Sequence, residues 1–267
     1  MARFSILFIV YALLSIHPVD EVQEIQGKAT YYSKSKMDLG SWGARMSEAQ
    51  KKQIQARLKN RLEKTYTLYF NKTESVFTED YRLDAVSGAT DSWGSNFARG
   101  QQYKNIADTS LVQSQEFYGK KFLVKDNLQE FQWVMTKETK RIGNYLCFKA
   151  IATVPTNDLN WFNFSWNDLQ NTNENKEIEM TPVEAWYTLQ IPIGHGPAEY
   201  WGLPGFILEV SSGNTTILCS EVIINPQDKI KIEAPEKGEV VAIDTYRETV
   251  KSKMQEMRNG YSRRRRN

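Results

Sequence analysis

The chain has 267 residues, of which 40% are hydrophobic and 25% charged, and its formal net charge is +2. This length accommodates one large domain or two small ones with a full hydrophobic core. Because the charge is nearly balanced and part of the positive side lies in the run Arg263–Arg266, the composition predicts no basic face for nucleic acid.

Residues 1–27 have the pattern of a signal peptide. Arg3 supplies a positive charge, and an apolar stretch runs from Phe4 to Ile16. That stretch is short of the roughly 20 residues that a membrane span needs, but it suits the core of a signal peptide. No A-x-A pattern or lipobox cysteine follows, so an uncleaved anchor stays the alternative. The sequence predicts an exported protein that is periplasmic, associated with the outer membrane, or secreted.

Helix signals occur near both ends of the remaining chain. Ser47 and Gln50 have the spacing of a capping box and predict a half-buried helix that extends to about Glu63. A closing helix is predicted from Asp244 to Arg258. Between them, residues 82–100 are rich in glycine and serine and predict a long loop.

Alternating or apolar runs predict strands through most of the chain. They are expected at residues 28–33, 65–71, 74–78, 102–106, 111–117, 121–124, 131–135, 145–154, 183–190, 206–211, 215–224 and near 230–232. The pattern favours an α+β fold dominated by a curved antiparallel sheet, with an N-terminal and a C-terminal helix packed at its side. We expect a single domain over residues 28–260 and a disordered basic tail over residues 261–267.

The most distinctive segment is IPIGHGPAEYWGLPGFILEV, which runs from Ile191 to Val210. Its hexapeptide and the run KRIGNYLCFKA, from Lys140 to Ala150, resemble the GLPGLI family of exported Bacteroidota proteins. The resemblance covers roughly residues 100–225 and implies a secreted or periplasmic β-rich protein of undefined molecular function. The hexapeptide consists of Gly202, Leu203, Pro204, Gly205, Phe206 and Ile207.

The hexapeptide has a physical interpretation of its own. Gly202 and Gly205 can take positive φ without steric cost, and Leu203 must be extended because it precedes Pro204. These restraints predict a rigid loop that plugs one end of the β-core. The alternative is a preorganised loop that lines a ligand site.

Aromatic and loop residues around the hexapeptide are candidates for binding an apolar small molecule. The alternative is that they fill the core. His195, the only histidine outside the export segment, lies in a glycine-flanked turn, where it is either a ligand contact, a general base or a solvent-exposed residue. The candidate ligand-binding residues are Trp186, His195, Tyr200, Trp201, Leu203 and Phe206.

Catalysis is the less favoured interpretation. Glu184, Glu199 and Glu209 lie near the hexapeptide, and a hydrolase would need two such carboxylates, or one with His195, to face a cleft. The sequence lacks the common motifs of nucleophilic catalysis and phosphate binding. A single histidine and two separated cysteines do not form a metal cluster, so we expect no metal and no cofactor.

Cys147 and Cys219 lie in apolar, strand-like runs. In an oxidising compartment they could form a disulfide, which would stabilise the fold by about 4 kcal/mol. The alternatives are two separate buried thiols or a pairing of one cysteine with His195.

Two further segments suggest interaction surfaces. Phe162, Phe164 and Trp166 alternate with polar residues and predict an aromatic face that could bind a protein of the cell envelope. The basic run Arg263, Arg264, Arg265 and Arg266 could contact anionic lipid at a membrane surface. The sequence as a whole favours a non-catalytic cell-envelope protein that binds an apolar ligand or a partner protein.

Overall fold

The computed structural model describes residues 25–36, 43, 45–80, 98–159, 161–164, 169, 178–228 and 230–264. The predictions made for the signal peptide over residues 1–24, for the loop at residues 82–97 and for Trp166 lie outside these residues. The side chains of Arg263–Arg266, on which the predicted lipid contact rests, also lie outside the described part.

The described chain forms one open sheet of twelve strands. The sheet order is β12-β6-β5-β4-β3-β2-β1-β11-β10-β9-β8-β7, and neighbouring strands are antiparallel except for the parallel pair β6 and β12. The predicted β-dominant α+β fold is therefore confirmed, with a sheet that is mixed rather than wholly antiparallel. The strands are β1 (Gly27–Ser35), β2 (Glu63–Phe70), β3 (Glu74–Glu79), β4 (Gln102–Asn105), β5 (Ser110–Phe117), β6 (Lys120–Asn127), β7 (Val134–Ile142), β8 (Tyr145–Pro155), β9 (Met180–Thr188), β10 (Phe206–Ser212), β11 (Thr215–Ile224) and β12 (Glu239–Val241).

Four helices accompany the sheet in the described residues: α1 (Glu48–Arg57), α2 (Lys59–Leu62), α3 (Thr156–Leu159) and α4 (Ile243–Arg264). The capping box is present, because Ser47 Oγ accepts from the Gln50 backbone and Gln50 Oε1 accepts from the Ser47 backbone. Because α4 continues to Arg264, part of the expected disordered tail is helical. No helix in the described ranges is both long enough and apolar enough to cross a bilayer.

Two strand predictions differ from the structure. β7 begins at Val134 rather than Phe131, because Phe131 and Trp133 stack on each other, with ring centroids 5.0 Å apart, beside Tyr200. The strand expected near residues 230–232 is absent, and β12 forms instead at Glu239, where it pairs with β6.

Buried apolar side chains form two clusters. The first lies between the central strands and residues 189–205, and Tyr31, Phe70 and Phe206 are among its fully buried members. The second joins α4 to β5 and β6 through residues such as Phe122 and Met254. A polar region lies beside residues 189–205, and it holds the candidate site.

Candidate functional site

The segment between β9 and β10, residues 189–205 (the β9–β10 segment), packs against the sheet. Ile191, Ile193 and Leu203 are buried in the first cluster. The segment also bonds to itself and to β10, since Gly202 N donates to Gly194 O and Ile207 N donates to His195 O. It therefore forms a compact plug on the sheet rather than an open loop.

Two glycines of the hexapeptide are required for different reasons. Gly202 has a φ of +90°, which side-chain-bearing residues rarely adopt. Gly205 is required for close approach, because a Cβ at this position would lie 2.1 Å from the carbonyl oxygen of Thr188. The predicted freedom of φ thus applies at Gly202, whereas Gly205 lets β10 begin against the end of β9.

Lys104 of β4 joins the β9–β10 segment to the other half of the sheet. Its side chain is fully buried, and Nζ donates to the carbonyl oxygens of Gly196 at 2.8 Å, Ala198 at 2.6 Å and Tyr200 at 3.2 Å. Burial lowers the pKa of Lys104 to about 7, although nearby Glu199 opposes this shift. The three acceptors use all three donors of the ammonium group, so Lys104 fixes the backbone of the segment.

A second buried charge lies next to Lys104. Arg99 forms a two-pronged ion pair with Glu199, and its Nη2 lies 2.9 Å from Glu199 Oε2. The guanidinium also lies over the ring of Phe162, 4.6 Å from its centroid. The two side chains are 12% and 6% exposed, so the pair is screened from water and holds the Glu199 carboxylate in one position.

Glu199 lines a small polar cavity of about 90 Å³. Gln102 of β4 and Leu111 of β5 contribute to its walls, and Trp161 contributes an aromatic ring. The remaining lining residues lie at and just after the end of β6, on α3 and on the first turns of α4; they are Asn127, Leu128, Gln129, Asp158, Ile243, Asp244 and Arg247. The cavity thus lies where the plugged sheet meets the C-terminal helix.

Two oxygen acceptors at this cavity have no partner among the described residues. Gln102 is fully buried, its Nε2 donates to Gln113 at 3.0 Å, and its Oε1 makes no hydrogen bond. Asp158 is half-buried on α3, and the described interactions include no hydrogen bond or ion pair of its carboxylate. A fully buried oxygen such as Gln102 Oε1 is normally satisfied, so its lack of a partner beside the Asp158 carboxylate indicates a site for a hydrogen-bond donor.

His195 lies within the plug and not at its surface. Its side chain is fully buried beside the ring of Phe70, and neither ring nitrogen makes a well-formed hydrogen bond in the described structure. Burial lowers the pKa of His195 to about 3, helped by Lys104 and opposed by a contact with the backbone of Asn71. The expectation of a solvent-exposed histidine is wrong, and a neutral, enclosed imidazole is poorly placed to act as a general base.

The residues predicted to bind an apolar ligand are packed into protein. Leu203 and Phe206 are 2% and 0% exposed in the first cluster, and Tyr200 is 6% exposed. Trp201 is half-buried, and its Nε1 donates to the Gln129 carbonyl at 2.7 Å. None of these residues lines the cavity beside Glu199.

Trp186 belongs to the same buried cluster, and it also contacts charged side chains. Its ring is 7% exposed and lies under Lys140, whose Nζ is 4.2 Å from the ring centroid. Lys140 pairs with Glu209 at 2.7 Å. Glu184 accepts from both Trp186 Nε1 and Lys149, and Lys149 holds the pKa of the Glu184 carboxyl below its usual value.

The candidate catalytic carboxylates therefore have separate partners. Glu184 and Glu209 pair with lysines of β8 and β7, whereas Glu199 pairs with Arg99 beside the cavity. A pair of carboxylates of the kind that glycoside hydrolysis uses would need both groups to face one cleft. Of the three, only Glu199 lines the cavity described above.

Cys147 and Cys219 are free, buried thiols on β8 and β11. Burial raises the pKa of both, to about 12 for Cys219. The structure therefore shows the two separate thiols that were the alternative to a disulfide, and their raised pKa values do not favour a reactive thiolate.

The described part of the predicted aromatic face packs inward. Phe162 is 7% exposed, and Phe164 packs against the second cluster. Trp161 contacts Tyr246 of α4 edge to face, with ring centroids 5.7 Å apart. These rings cover α4 and do not form an exposed ribbon.

Sequence reasoning missed most of the polar site. Gln102 and Lys104 alternate with Tyr103, which gives no sign that the polar side of this strand faces inward. The signal that could have been used is the matching alternation of Gln113 and Gln115 on β5, because Gln113 lies opposite Gln102. The sequence does not indicate that Asp158 and Arg247 belong to the site, because only tertiary packing brings them to the same cavity.

A family model of unknown function matches part of the chain. Residues 133–209, less than half of the chain, match a family model described as "Protein of unknown function (Porph_ging)". No curated protein matches the chain. The match extends from just before β7 into β10 and includes the whole β9–β10 segment.

This finding corrects the resemblance proposed from the hexapeptide. The model that matches is Porph_ging, and no match to the GLPGLI family is found. A short motif of glycine, proline and apolar residues mainly encodes a tight turn, as Gly202 and Gly205 show, so it is weak evidence for one particular family.

Two solved structures are similar to the chain at low identity. They are described as PNGF-II in a C2 and in a P21 space group, with TM-scores of 0.46 and 0.45 and identities of 13% and 14%. Each match covers 84% of this chain and 32% of the other chain, so this protein spans about a third of their length. At these TM-scores the likeness carries no argument about fold or function.

Proposed function

We propose that this protein is a non-catalytic binding protein of the cell envelope, and that its ligand site is the polar cavity beside Glu199. One observation carries the proposal: the fully buried Oε1 of Gln102, a residue that lines the cavity, lacks a hydrogen-bond donor in the described structure. A bound polar molecule would satisfy this oxygen.

The β9–β10 segment serves the proposed site as a scaffold. Lys104 fixes the carbonyl groups on both sides of Glu199, and Arg99 fixes the Glu199 carboxylate itself. A binding site gains affinity when its polar groups are held before the ligand arrives. This role replaces direct binding of an apolar ligand by the hexapeptide, whose Leu203 and Phe206 are packed in the core.

A ligand-observed NMR screen of the purified full chain tests the proposal. We expect small polar molecules from an envelope extract to bind, and long-chain acyl compounds not to bind. Leu111→Phe should reduce the signal by narrowing the cavity, whereas Leu123→Phe, an equally buried substitution that does not line the cavity, should retain it. Binding of acyl compounds alone, or equal signals from both variants, would contradict the proposal.

Export remains part of the proposal and rests on residues 1–27. The apolar stretch from Phe4 to Ile16 and Arg3 before it support a signal peptide. Fractionation of cells that express the whole chain should place the protein outside the cytoplasm. Deletion of residues 2–24 should leave it inside, and an unchanged distribution would contradict this part.

A second candidate function is supported by the edge of the sheet. β7 ends the strand order, and Val134 and Met135 on it are 61% and 58% exposed. An envelope protein could add an extended segment to this edge, and Lys137 and Arg141, which form no ion pair among the described residues, favour an acidic one. Val134→Glu should weaken crosslinking of a synthetic acidic peptide to β7, because the added carboxylate repels the peptide, whereas Val240→Glu on the opposite edge strand should not.

A further inference from the structure

We infer that the cavity beside Glu199 accepts a primary ammonium group, held by the side chains of Asp158 and Gln102. This inference rests on the proposed function and specifies the chemistry of the ligand. The two groups present oxygen acceptors, so the ligand must supply the hydrogen-bond donors.

The first argument is the direction of the hydrogen bonds. The amide of Gln102 cannot turn to offer its nitrogen, because Nε2 donates to Gln113 and Gln113 in turn donates to Gln115. Gln115 Oε1 also accepts from the backbone of Gly100 at 2.7 Å, which sets the direction of the whole chain of amides. Gln102 therefore presents an acceptor, and the group that satisfies it must be a donor.

The second argument is charge. Four charged side chains line the cavity: Glu199, Asp158, Asp244 and Arg247. Arg99 neutralises Glu199, and Arg247 lies 3.7 Å from Asp244, so these charges pair off. The carboxylate of Asp158 remains unpaired in the described chain, whereas the ammonium group of nearby Lys104 is bound by three backbone carbonyls, so Asp158 is the lining carboxylate that is left to bind a cation.

The third argument concerns the kind of cation. The described residues include no group of three or more His, Cys, Asp or Glu side chains that could hold a metal ion. A hard metal cation would need six or more oxygen ligands. Two separated acceptors beside an indole ring instead suit an organic cation, because ammonium groups donate directional hydrogen bonds and are attracted to aromatic faces.

The size of the cavity limits the ligand. The cavity has a volume of about 90 Å³, which leaves room for a few small groups and not for a large ligand. An ammonium group with one or two attached carbons suits this space, whereas a larger amine must extend beyond it, towards the exposed side chain of the lining residue Asp244.

Three probes of similar size and different charge test the inference by calorimetry or ligand-observed NMR on the full chain at neutral pH. They are ethanolamine, ethylene glycol and glycolate. We expect ethanolamine to bind at least about tenfold more tightly than ethylene glycol, because a hydrogen bond to a charged group contributes about 1.5 kcal/mol or more. Glycolate should bind least.

Matched variants assign the effect to the cavity. Asp158→Asn keeps the size of the side chain and removes its charge, so it should weaken ethanolamine binding about tenfold. Asp228→Asn, which changes an exposed aspartate elsewhere, should match the wild type. If ethanolamine binding is equal in the two variants, the assignment to Asp158 is wrong.

The outcomes distinguish this inference from the proposed function. Should ethylene glycol or glycolate bind as tightly as ethanolamine, and lose affinity in Leu111→Phe, the cavity is a ligand site but not an ammonium site. If none of the three probes binds to the folded wild type, the ammonium inference fails. The extract screen then decides the proposed function separately, because it includes ligands of other chemistry.

Discussion

A buried lysine is stable only where other groups replace its hydration shell. At Lys104 the replacement consists of three backbone carbonyl groups of the β9–β10 segment, and the reduced pKa of about 7 shows that burial still disfavours the charged form. The three carbonyl groups depend on Lys104 in turn, because they lie in the interior and accept hydrogen bonds from its ammonium group.

Lys104→Met tests this dependence. The substitution keeps most of the side-chain volume but leaves three buried carbonyl groups without their donor, so we expect it to lower the free energy of unfolding by about 2 kcal/mol or more. Urea unfolding measures the change. Lys125→Met on the exposed side of β6 is the matched control, with an expected change within about 0.5 kcal/mol. Similar losses in both variants would contradict the assigned role.

His195 predicts a specific dependence of stability on pH. Its pKa falls from the usual 6.5 to about 3 in the folded protein, so between these values only the unfolded chain binds the proton. Acidification therefore favours unfolding, by up to about 1.4 kcal/mol for each pH unit in this range. In urea unfolding at pH 7, 6, 5 and 4, His195→Phe should lack this contribution and gain stability relative to the wild type as the pH falls. Parallel curves for the two proteins would show that His195 is not the titrating group.

At the scale of elements, the start of β10 depends on the absence of a side chain at Gly205. Gly205→Ala would place its Cβ 2.1 Å from the Thr188 carbonyl oxygen, so β9 and β10 must separate or shift. We expect a loss of about 3 kcal/mol or more, measured by chemical unfolding, or a failure to fold. Gly213→Ala, at the turn between β10 and β11, meets nothing within 4 Å and should cost only about 1 kcal/mol for its positive φ. Equal losses would mean that backbone conformation and not close approach explains Gly205.

The strands could be predicted because each carries its own pattern. The hairpin of β10 and β11 combines two apolar runs with the turn residue Gly213, and the capping box of α1 is complete within four residues. β12 was not predicted, because three residues are too few to show a periodic pattern. Its pairing with β6 also depends on the β5–β6 hairpin, which is distant in the sequence.

The candidate site could not be predicted, because it is assembled from residues that are far apart in the sequence. The β9–β10 segment was recognisable as a turn-rich plug, but its sequence does not reveal that its carbonyl groups meet Lys104, about 90 residues earlier in the chain. The histidine and the aromatic residues were candidates for catalysis or binding because of their residue types, whereas in the structure they pack into the core.

At the scale of the whole molecule, the cavity lies between two apolar clusters that are built from different elements. The first is held by the central strands and the β9–β10 segment, whereas the second depends on α4 packing against β6 and on Trp161. Tyr246 of α4 contacts both Phe122 and Trp161 edge to face, so the helix holds one wall of the cavity in place. We therefore expect local opening at the α4 side without unfolding of the plugged sheet.

Met254→Ala tests this difference. Met254 is fully buried in the second cluster, and its truncation should cost about 3 kcal/mol. Native-state hydrogen exchange should then show faster exchange in α4 and around Trp161, with little change in β1, β2 and β10, because the first cluster keeps all of its contacts. Met135→Ala, at a side chain that is 58% exposed on β7, should leave both regions unchanged. If Met254→Ala instead accelerates exchange equally in both clusters, they form one cooperative unit, and local opening at the α4 side alone is excluded.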